Sequence, residues 1–307
     1  MPSHHPISRR ALLQTLCAAV PAATAFSQTQ RFESEVEIVT VTLSVTDADG
    51  RLVTDLRQDE FEVFEDGVVQ EVTQFTRERV PVSLAVLLDV SDSMVGMRLT
   101  DARRALDRFL FELLAREDEY ALVLFNHRPT VAASWTDDPG KVIPALEAMR
   151  GWGGTAIHDA ISATLPLLAR RRRQRGAAVV ISDGADTASD LGLRELRSKL
   201  LLTDAFIYAV GIERDDPHAL RTRINPYALR QITDDTGGYT EVVKNTSELG
   251  PATARIADEL NKQYTLGYPP RHGADGKFHG IRVRVRRPQH RVRARRGYIA
   301  TKRDRND

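Results

Sequence analysis

The stretch LAVLLDVSDSM, residues 84–94, decides the fold of this chain. An unbroken apolar run ends in Asp89, and Ser91 and Ser93 follow at alternating positions. A continuous apolar run of this length is typical of a strand buried on both faces, as in a parallel sheet. In such sheets, ligands lie beyond the carboxyl ends of the strands. Since an acid and two hydroxyls follow the strand, rather than phosphate-cradling glycines, the stretch predicts a polar binding site at a strand end.

Similar runs continue outward from this stretch. From Pro81 onward, apolar segments such as YALVLFN, GAAVVISD and DAFIYAVGI alternate with amphipathic segments of helical length. We predict helices near residues 98–115, 142–149, 156–172, 193–201, 226–236 and 252–262. The alternation predicts an α/β fold, doubly wound, with a mostly parallel central sheet and helices on both faces.

Both flanks of the α/β region predict β structure. Before Pro81, apolar residues recur at period two around turns at Asp49-Gly50 and Asp66-Gly67, and strand patterns return after Tyr264. We therefore divide the chain into an export signal, an N-terminal β module, an α/β domain and a C-terminal β tail, over residues 1–27, 28–80, 81–262 and 263–307. Whether the two β segments form one module is left open by the sequence.

Two patterns in the flanks have ordinary structural explanations. The DADG stretch from Asp47 looks like a calcium loop, but its twelfth position would be Gln58, where an EF-hand needs Glu. We predict a turn there. Residues 278–300 hold eight arginines and no acid, and the arginines from Arg282 alternate with apolar residues, as on the outer face of a half-buried strand. Few aromatic residues are interleaved and the formal net charge is +1, so we predict no nucleic-acid partner.

Residues 1–27 have the composition of an export signal. Two arginines precede an apolar run over residues 11–25, which is too short to span a membrane. SRRALLQ matches the twin-arginine pattern S-R-R-x-F-L-K, except that Leu12 replaces Phe and Gln14 replaces Lys. We favour twin-arginine export over the general secretory route. The mature protein is then expected in the periplasm or secreted, without stable membrane insertion.

Cleavage after residue 27 would change the chemistry available to the chain. It removes two arginines and no acid, so the formal charge goes from +1 to −1. It also removes Cys17, the single cysteine. The mature protein would therefore have no disulfide, no metal thiolate and no cysteine nucleophile.

Three separate segments carry candidate oxygen ligands for a cation. Asp89, Ser91 and Ser93 follow one buried strand, Thr155 follows the glycine turn GWGG, and Asp183 ends the strand AAVVIS. Carboxylate and hydroxyl oxygens are hard ligands that suit Mg²⁺, with Mn²⁺ and Ca²⁺ as alternatives. The competing explanation is that these residues only cap helices and end strands, for which Ser, Thr and Asp are also favoured.

In this order and context, Asp89-x-Ser91-x-Ser93, Thr155 in GGT and Asp183 in SDG resemble the metal-ion-dependent adhesion site of von Willebrand factor type A (VWA) domains. The resemblance covers about residues 82–260. The flanks, with FEVFEDG and RRGYIA, look like bacterial VWFA-related proteins built from a β module, a VWA domain and a β tail.

The resemblance implies a role for each residue. Ser91 and Ser93 would bind the cation directly, and Thr155 directly or through water. Asp89 and Asp183 would hold coordinated waters, or bind directly in one state. The remaining position would accept a carboxylate from a partner protein, and the last helix would move when that ligand binds.

Enzyme functions are the alternative class. Aspartate-nucleophile phosphotransferases of the haloacid dehalogenase type need D-x-D, but the second position here is Ser91. His127 and His158 are near the predicted site, but no triad partner is evident, so we predict structural roles for them. We expect a binding module and no enzyme. Two alternatives stay open: a structural metal with the partner docking elsewhere, and a metal-dependent hydrolase.

Overall fold

The computed structural model describes residues 38–148, 150–213 and 224–301 of the 307-residue chain. The predicted export signal lies outside these ranges. The described strands are β1 Val39–Thr46, β2 Phe61–Glu65, β3 Val68–Gln70, β4 Gln74–Thr76, β5 Val82–Asp89, β6 Glu119–Phe125, β7 Pro129–Thr136, β8 Arg175–Ser182, β9 Phe206–Ile212, β10 Thr240–Val243, β11 Tyr264–Tyr268, β12 Phe278–Val285, β13 Arg291–Ala294 and β14 Gly297–Ile299. The described α-helices are α1 Met97–Arg108, α2 Ile143–Glu147, α3 Ile157–Ala169, α4 Leu193–Leu200, α5 Pro226–Thr236 and α6 Leu249–Asn261.

The central sheet has six strands in the order β10-β9-β8-β5-β6-β7. All neighbours are parallel except β6 and the edge strand β7, which pair antiparallel. The chain runs from β5 outward through β6 and β7, then returns to β8 on the other side of β5. The predicted doubly wound, mostly parallel sheet is therefore confirmed, and its strand order reverses between β5 and β8.

The apolar run that opens the analysis forms β5, and every residue of this strand is buried. Leu84, Val86 and Leu88 share a core with α1 and α6, whereas Ala85 and Leu87 share a core with α3, α4 and α5. Successive side chains of a strand point to opposite faces of the sheet. With helices on both faces, the strand is therefore apolar throughout residues 84–88 and turns polar where it ends, at Asp89.

The two flanking β segments pair with each other in two four-stranded sheets, ordered β13-β1-β11-β4 and β14-β12-β2-β3. Strand β1 pairs antiparallel with β11, and β2 pairs antiparallel with β12. Residues of both sheets, among them Leu43, Phe61 and Ile281, form one core. We call these two sheets the β module. It is built from both ends of the described chain.

The turns predicted in the N-terminal flank are confirmed. Asp47 Oδ1 accepts hydrogen bonds from the backbone N–H groups of Asp49 and Arg51 at 2.9 and 2.8 Å, which is a turn. Asp66 and Gly67 have φ values of 48° and 83° and join β2 to β3, as expected of a tight hairpin.

The alternation predicted for the arginine-rich strand is confirmed. In β12, Ile281 and Val283 are buried, whereas Arg282 and Arg284 are exposed. Both guanidinium groups lie over the ring of Phe64, at 4.7 and 5.3 Å from its centroid. The arginine stripe is thus the outer face of a sheet.

Helix α6 connects the α/β domain to the β module through a buried acid. Glu259 Oε1 accepts hydrogen bonds from Ser44 of β1 and Tyr208 of β9, both at 3.1 Å, and Glu259 Oε2 accepts one from Arg293 of β13. Burial raises the pKa of Glu259, and Arg293 opposes this effect. Among the described residues, none of the helices is long and apolar enough to cross a membrane.

Candidate metal centre

The two predicted acids lie at neighbouring strand ends. Asp89 is the last residue of β5, and Asp183 follows the last residue of β8. The two strands are parallel, with Leu88 opposite Ile181, so Asp89 is level with Ser182 at the same edge of the sheet. This edge is where the strand order reverses, which is the usual place for a ligand in an open α/β sheet.

Asp89 is fully buried and holds the first loop in shape. Its Oδ1 accepts a hydrogen bond of 2.8 Å from the backbone N–H of Ser91, and its Oδ2 accepts one of 2.6 Å from the Ser182 hydroxyl. Burial, with a smaller contribution from Asp183, raises the pKa of Asp89 to about 6 against the opposing effect of these hydrogen bonds. A cation bound nearby would stabilise the ionised form of this carboxyl group and lower its pKa.

The two serines connect the strand ends. Ser91 Oγ and Ser93 Oγ are 3.0 Å apart, and Ser93 Oγ donates a hydrogen bond of 2.5 Å to Asp183 Oδ1. Ser91 and Asp183 are buried, and Ser93 is partly exposed. Four of the five predicted residues therefore form one hydrogen-bonded network, which opens to solvent at Ser93.

Thr155 is held beside this network by its loop. The N–H of Trp152 donates to Val90 O at 2.9 Å, and the N–H of Asp92 donates to Gly153 O at 3.0 Å. Thr155 itself is buried, and its carbonyl oxygen accepts a hydrogen bond from the N–H of Thr187 at 2.8 Å. The glycine turn thus lies between the loops that follow β5 and β8.

Gly153 explains why this turn needs glycine. Its φ is +80°, and a Cβ there would lie 2.9 Å from His127 Nδ1. The neighbouring Gly151 is also confined, because a Cβ would lie 2.6 Å from Val95 Cγ2 and 3.2 Å from Ser91 O. The turn can approach the serine loop only without side chains at these positions.

Two residues at the site were not assigned a role from the sequence. Ser182 supports Asp89, and Arg98 of α1 lies beside Asp183, with 3.6 Å between Arg98 Nε and Asp183 Oδ2. Arg98 Nη1 also donates to Ser93 O at 3.0 Å. The contact of Ser182 depends on the register of β5 and β8, and that of Arg98 depends on the docking of α1. In the sequence, only the position of Ser182 next to Asp183 could have indicated a role at the site.

The two histidines predicted to be structural have structural contacts. His158 Nδ1 lies 3.1 Å from Leu191 O and 3.5 Å from Asp186 Oδ2. The ring of His127 packs edge-on against Trp152, with 4.5 Å between the ring centroids. Both side chains therefore support the loops around the site.

The residues present fit a hard divalent cation. The site offers two buried carboxylates and two hydroxyls, so all of its candidate ligand atoms are oxygens. The two hydroxyls and Asp183 are joined by contacts of 3.0 Å or less, and Asp89 joins them through the backbone N–H of Ser91. Mg²⁺ prefers such ligands and keeps several waters when few carboxylates are present. One guanidinium group, that of Arg98, offsets part of the negative charge.

Comparisons with known proteins agree with this architecture. Residues 84–185 match the family model for the von Willebrand factor type A domain. Inter-alpha-trypsin inhibitor heavy chain H2 of Sus scrofa is 22% identical over 254 residues, which cover 74% of this chain and 26% of that protein. Heavy chain H4 of Homo sapiens is 22% identical over 209 residues, which cover 62% of this chain and 22% of that protein. The chain thus spans about a quarter of the length of these curated relatives.

A solved structure extends the likeness to the fold. The von Willebrand factor type A structure from Catenulispora acidiphila superposes with a TM-score of 0.52 at 12% identity, covering 89% of this chain and 76% of that chain. The family match lies on the segment that holds β5, Thr155 and Asp183. Residues 84–185 thus match a von Willebrand factor type A domain, and the chain shares the fold of the solved structure.

Proposed function

We propose that this protein is a metal-dependent binding module, of the bacterial VWFA-related type, that captures an acidic residue of a partner protein. The observation that carries the proposal is the side-chain network of Ser91, Ser93 and Asp183, with oxygen–oxygen contacts of 3.0 and 2.5 Å, to which Asp89 is tied by a 2.8 Å bond from the backbone N–H of Ser91. Capping alone does not require oxygens from two strand ends to converge.

The site residues divide the work of holding a cation. Ser91 and Ser93 would be direct ligands, and Thr155 would bind directly or through water. Asp89 and Asp183 would supply the counter-charge, directly or through waters. Bound there, Mg²⁺ (or Mn²⁺ or Ca²⁺) would supply an open coordination position for a carboxylate oxygen.

An acidic partner follows from the balance of charge at the site. Hydroxyl ligands are neutral, and Asp183 already faces the guanidinium group of Arg98. A divalent cation held mainly by hydroxyls keeps much of its charge and therefore attracts one more carboxylate. Partial exposure of Ser93 leaves an approach from solvent.

We further propose that the module is not an enzyme and acts outside the cytoplasm, in the periplasm or secreted. Among the described residues, neither serine hydroxyl contacts a histidine: the hydroxyls contact each other and Asp183, which we assign to the cation, and His158 faces Leu191 and Asp186. The alternative of a metal-dependent hydrolase predicts turnover that is lost in Asp89→Asn. The alternative of a structural metal predicts partner binding that survives loss of the cation.

The test is calorimetric titration of the whole chain with Mg²⁺ and Mn²⁺. Ser91→Ala/Ser93→Ala should abolish saturable binding, because it removes two ligands and the bridge to Asp183. The matched control is Ser198→Ala/Ser247→Ala, which removes two exposed hydroxyls elsewhere and should bind as the wild type does. Equal affinity in all three proteins would overturn the proposed metal centre.

Capture of an acidic residue needs its own readout. A protein partner found by crosslinking should be released by a chelator and should not bind the double serine variant. Amidation of the partner's carboxyl groups should also prevent binding. A partner that still binds in the presence of the chelator and after amidation would show that docking occurs elsewhere.

A further inference from the structure

A second cluster of ligand-type side chains lies in the β module. Glu65 ends β2, His279 lies in β12, and His272 lies in the loop between β11 and β12. One ligand atom from each side chain lies within 4.8 Å of the other two. A fourth candidate, Asp275, has Oδ1 3.1 Å from His279 Nε2.

Glu65 is a buried acid, only 3% exposed. The hydroxyls of Tyr268 and Tyr298 donate to Glu65 Oε2 at 2.6 and 2.9 Å. Its other oxygen, Oε1, lies 3.2 Å from His272 Nε2. Within the described ranges, the ion-pair partner of Glu65 is thus a histidine, where a structural buried acid would usually have Arg or Lys.

His279 is buried and oriented through its Nδ1 atom. Nδ1 lies 2.7 Å from Asp66 Oδ2, and the opposite nitrogen, Nε2, faces Asp275. A carboxylate that accepts a hydrogen bond from one ring nitrogen fixes the tautomer, so that the lone pair of the other nitrogen can bind a metal ion. The same carboxylates, Asp66 and Asp275, raise the pKa of His279 against the effect of burial.

His272 has the same arrangement with a backbone acceptor. Its Nδ1 lies 2.9 Å from Gly273 O, and its Nε2 faces Glu65 and the Tyr298 hydroxyl. Metal-ligating histidines usually direct their second nitrogen to a carboxylate or a backbone carbonyl. Both histidines therefore direct Nδ1 at an oxygen and Nε2 at a carboxylate.

We propose that Glu65, His272, His279 and Asp275 form a binding site for Zn²⁺ in the β module. Two imidazole nitrogens with two carboxylate oxygens make a mixed ligand set that suits Zn²⁺ better than Mg²⁺, which prefers oxygen ligands. This site does not share residues with the metal centre of the VWA domain, and it does not depend on the function proposed above.

Binding requires a local change at His272. The two imidazole rings are stacked, with centroids 3.4 Å apart and planes 11° apart. Two parallel rings cannot both direct a nitrogen in their own plane at one ion. Since Zn–N distances are about 2.0–2.1 Å, ligand atoms up to 4.8 Å apart must also close in. His272, on a loop and partly exposed, is the ring that turns.

The site would join distant parts of the chain. Glu65 and His272 are far apart in sequence and belong to the two flanking segments that pair in the β module. A cation bound by both residues would hold the two flanking segments together. The ligands come together only in the folded state, so the cation binds only that state. Zn²⁺ should therefore raise the melting temperature of the protein, and the rise should increase with the concentration of Zn²⁺ relative to its dissociation constant.

The test uses the whole chain with His4→Gln, His5→Gln, Ser91→Ala and Ser93→Ala as background, so that neither the adjacent N-terminal histidines nor the first centre contributes. Zn²⁺ is titrated by calorimetry, and Co²⁺ is used as a visible-absorption probe of low-coordinate geometry. We expect one Zn²⁺ per chain, an intense Co²⁺ spectrum and a raised melting temperature. In this background, His279→Gln should lower the affinity for Zn²⁺ by at least about 100-fold and abolish the Co²⁺ spectrum.

Controls separate loss of a ligand from loss of the fold. His290→Gln changes a histidine whose Nδ1 lies 2.9 Å from Pro288 O, and it should bind as the background does. If His279→Gln does not fold, the partly exposed His272→Gln replaces it. Asp66→Asn, which keeps a residue type that tolerates positive φ, should weaken binding by about 10–100-fold as a positioning residue. Absence of Zn²⁺ binding in the background protein, or equal binding in folded His279→Gln, would overturn the proposal.

Discussion

The hydroxyl of Ser93 donates a hydrogen bond of 2.5 Å to Asp183, across 90 residues of sequence. This contact joins the loop after β5 to the loop after β8, at the point where the strand order of the sheet reverses. It places a hydroxyl and a carboxylate where one cation can reach both. The proposed metal centre therefore depends on the junction between the ends of β5 and β8. Substitutions at this junction should weaken cation binding more than they destabilise the fold.

The pH dependence of stability should report the burial of Asp89. Its pKa is raised to about 6 from an ordinary value of 3.8, so between these values the folded state binds more protons than the unfolded state. Stability in the presence of a chelator should then fall as the pH rises from about 4 to about 7, by about 3 kcal/mol from this group. Urea unfolding of wild type and Asp89→Asn at several pH values measures the difference. An identical pH slope in the two proteins would contradict the prediction.

Arg98→Gln should increase the affinity for Mg²⁺. The guanidinium group lies 3.6 Å from Asp183 Oδ2 and repels a cation bound next to it. Because Arg98 is partly exposed, solvent screens this repulsion, and we expect a gain of about two- to tenfold, larger at low salt. Calorimetry measures it, with Arg104→Gln on the exposed face of α1 as the matched control. Weaker binding in Arg98→Gln would instead assign the arginine a supporting role.

Gly153→Ala should damage the metal centre without removing a ligand. An alanine at a φ of +80° costs about 1–2 kcal/mol, and its Cβ would also press on His127. We expect a lower free energy of unfolding and weaker Mg²⁺ binding, because the turn before Thr155 must shift. Gly192→Ala is the control, since its φ is −76° and a Cβ there meets no atom within 4 Å. Comparable losses in both variants would rule out this explanation.

Arg293→Met should destabilise the contact between α6 and the β module. It leaves Glu259, which is 2% exposed, without its cationic partner, and breaking such a buried pair costs about 3–5 kcal/mol. Adding Glu259→Gln should recover part of the loss, because the buried charge is then removed as well. Urea unfolding of the single and double variants tests this. A double variant as unstable as the sum of the two single changes would show that the residues do not interact.

Much of the fold could be predicted from the sequence because its signals are local. Residues 84–88 are apolar without interruption, which requires cover on both faces of the strand, and the structure provides helices on both. Helix α5 has the predicted bounds, since Asn225 caps its first turn, Pro226 begins it and Gly237, with φ of +90°, ends it. Helix α6 begins at Leu249, three residues before the predicted Ala252. The prediction missed this first turn because Gly250 and Pro251 have low helix propensity.

The candidate site was predicted unevenly. Asp89, Ser91, Ser93, Thr155 and Asp183 were named from motifs, and the structure joins four of them by hydrogen bonds. Their role as metal ligands stays a prediction. Ser182 and Arg98 could not be assigned, since their contacts depend on strand register and on the docking of α1.

The sequence by itself determined the order of strands and helices, the buried character of β5 and the polar residues at strand ends, because these follow from periodicity and residue type within a few positions. Only the tertiary structure decided which strand ends are neighbours, and that both flanking segments share two sheets. It also brought Glu65 to His272 and His279, across more than 200 residues. Strand pairing is set by the global burial of apolar faces, so contacts between distant residues are not encoded in any single stretch.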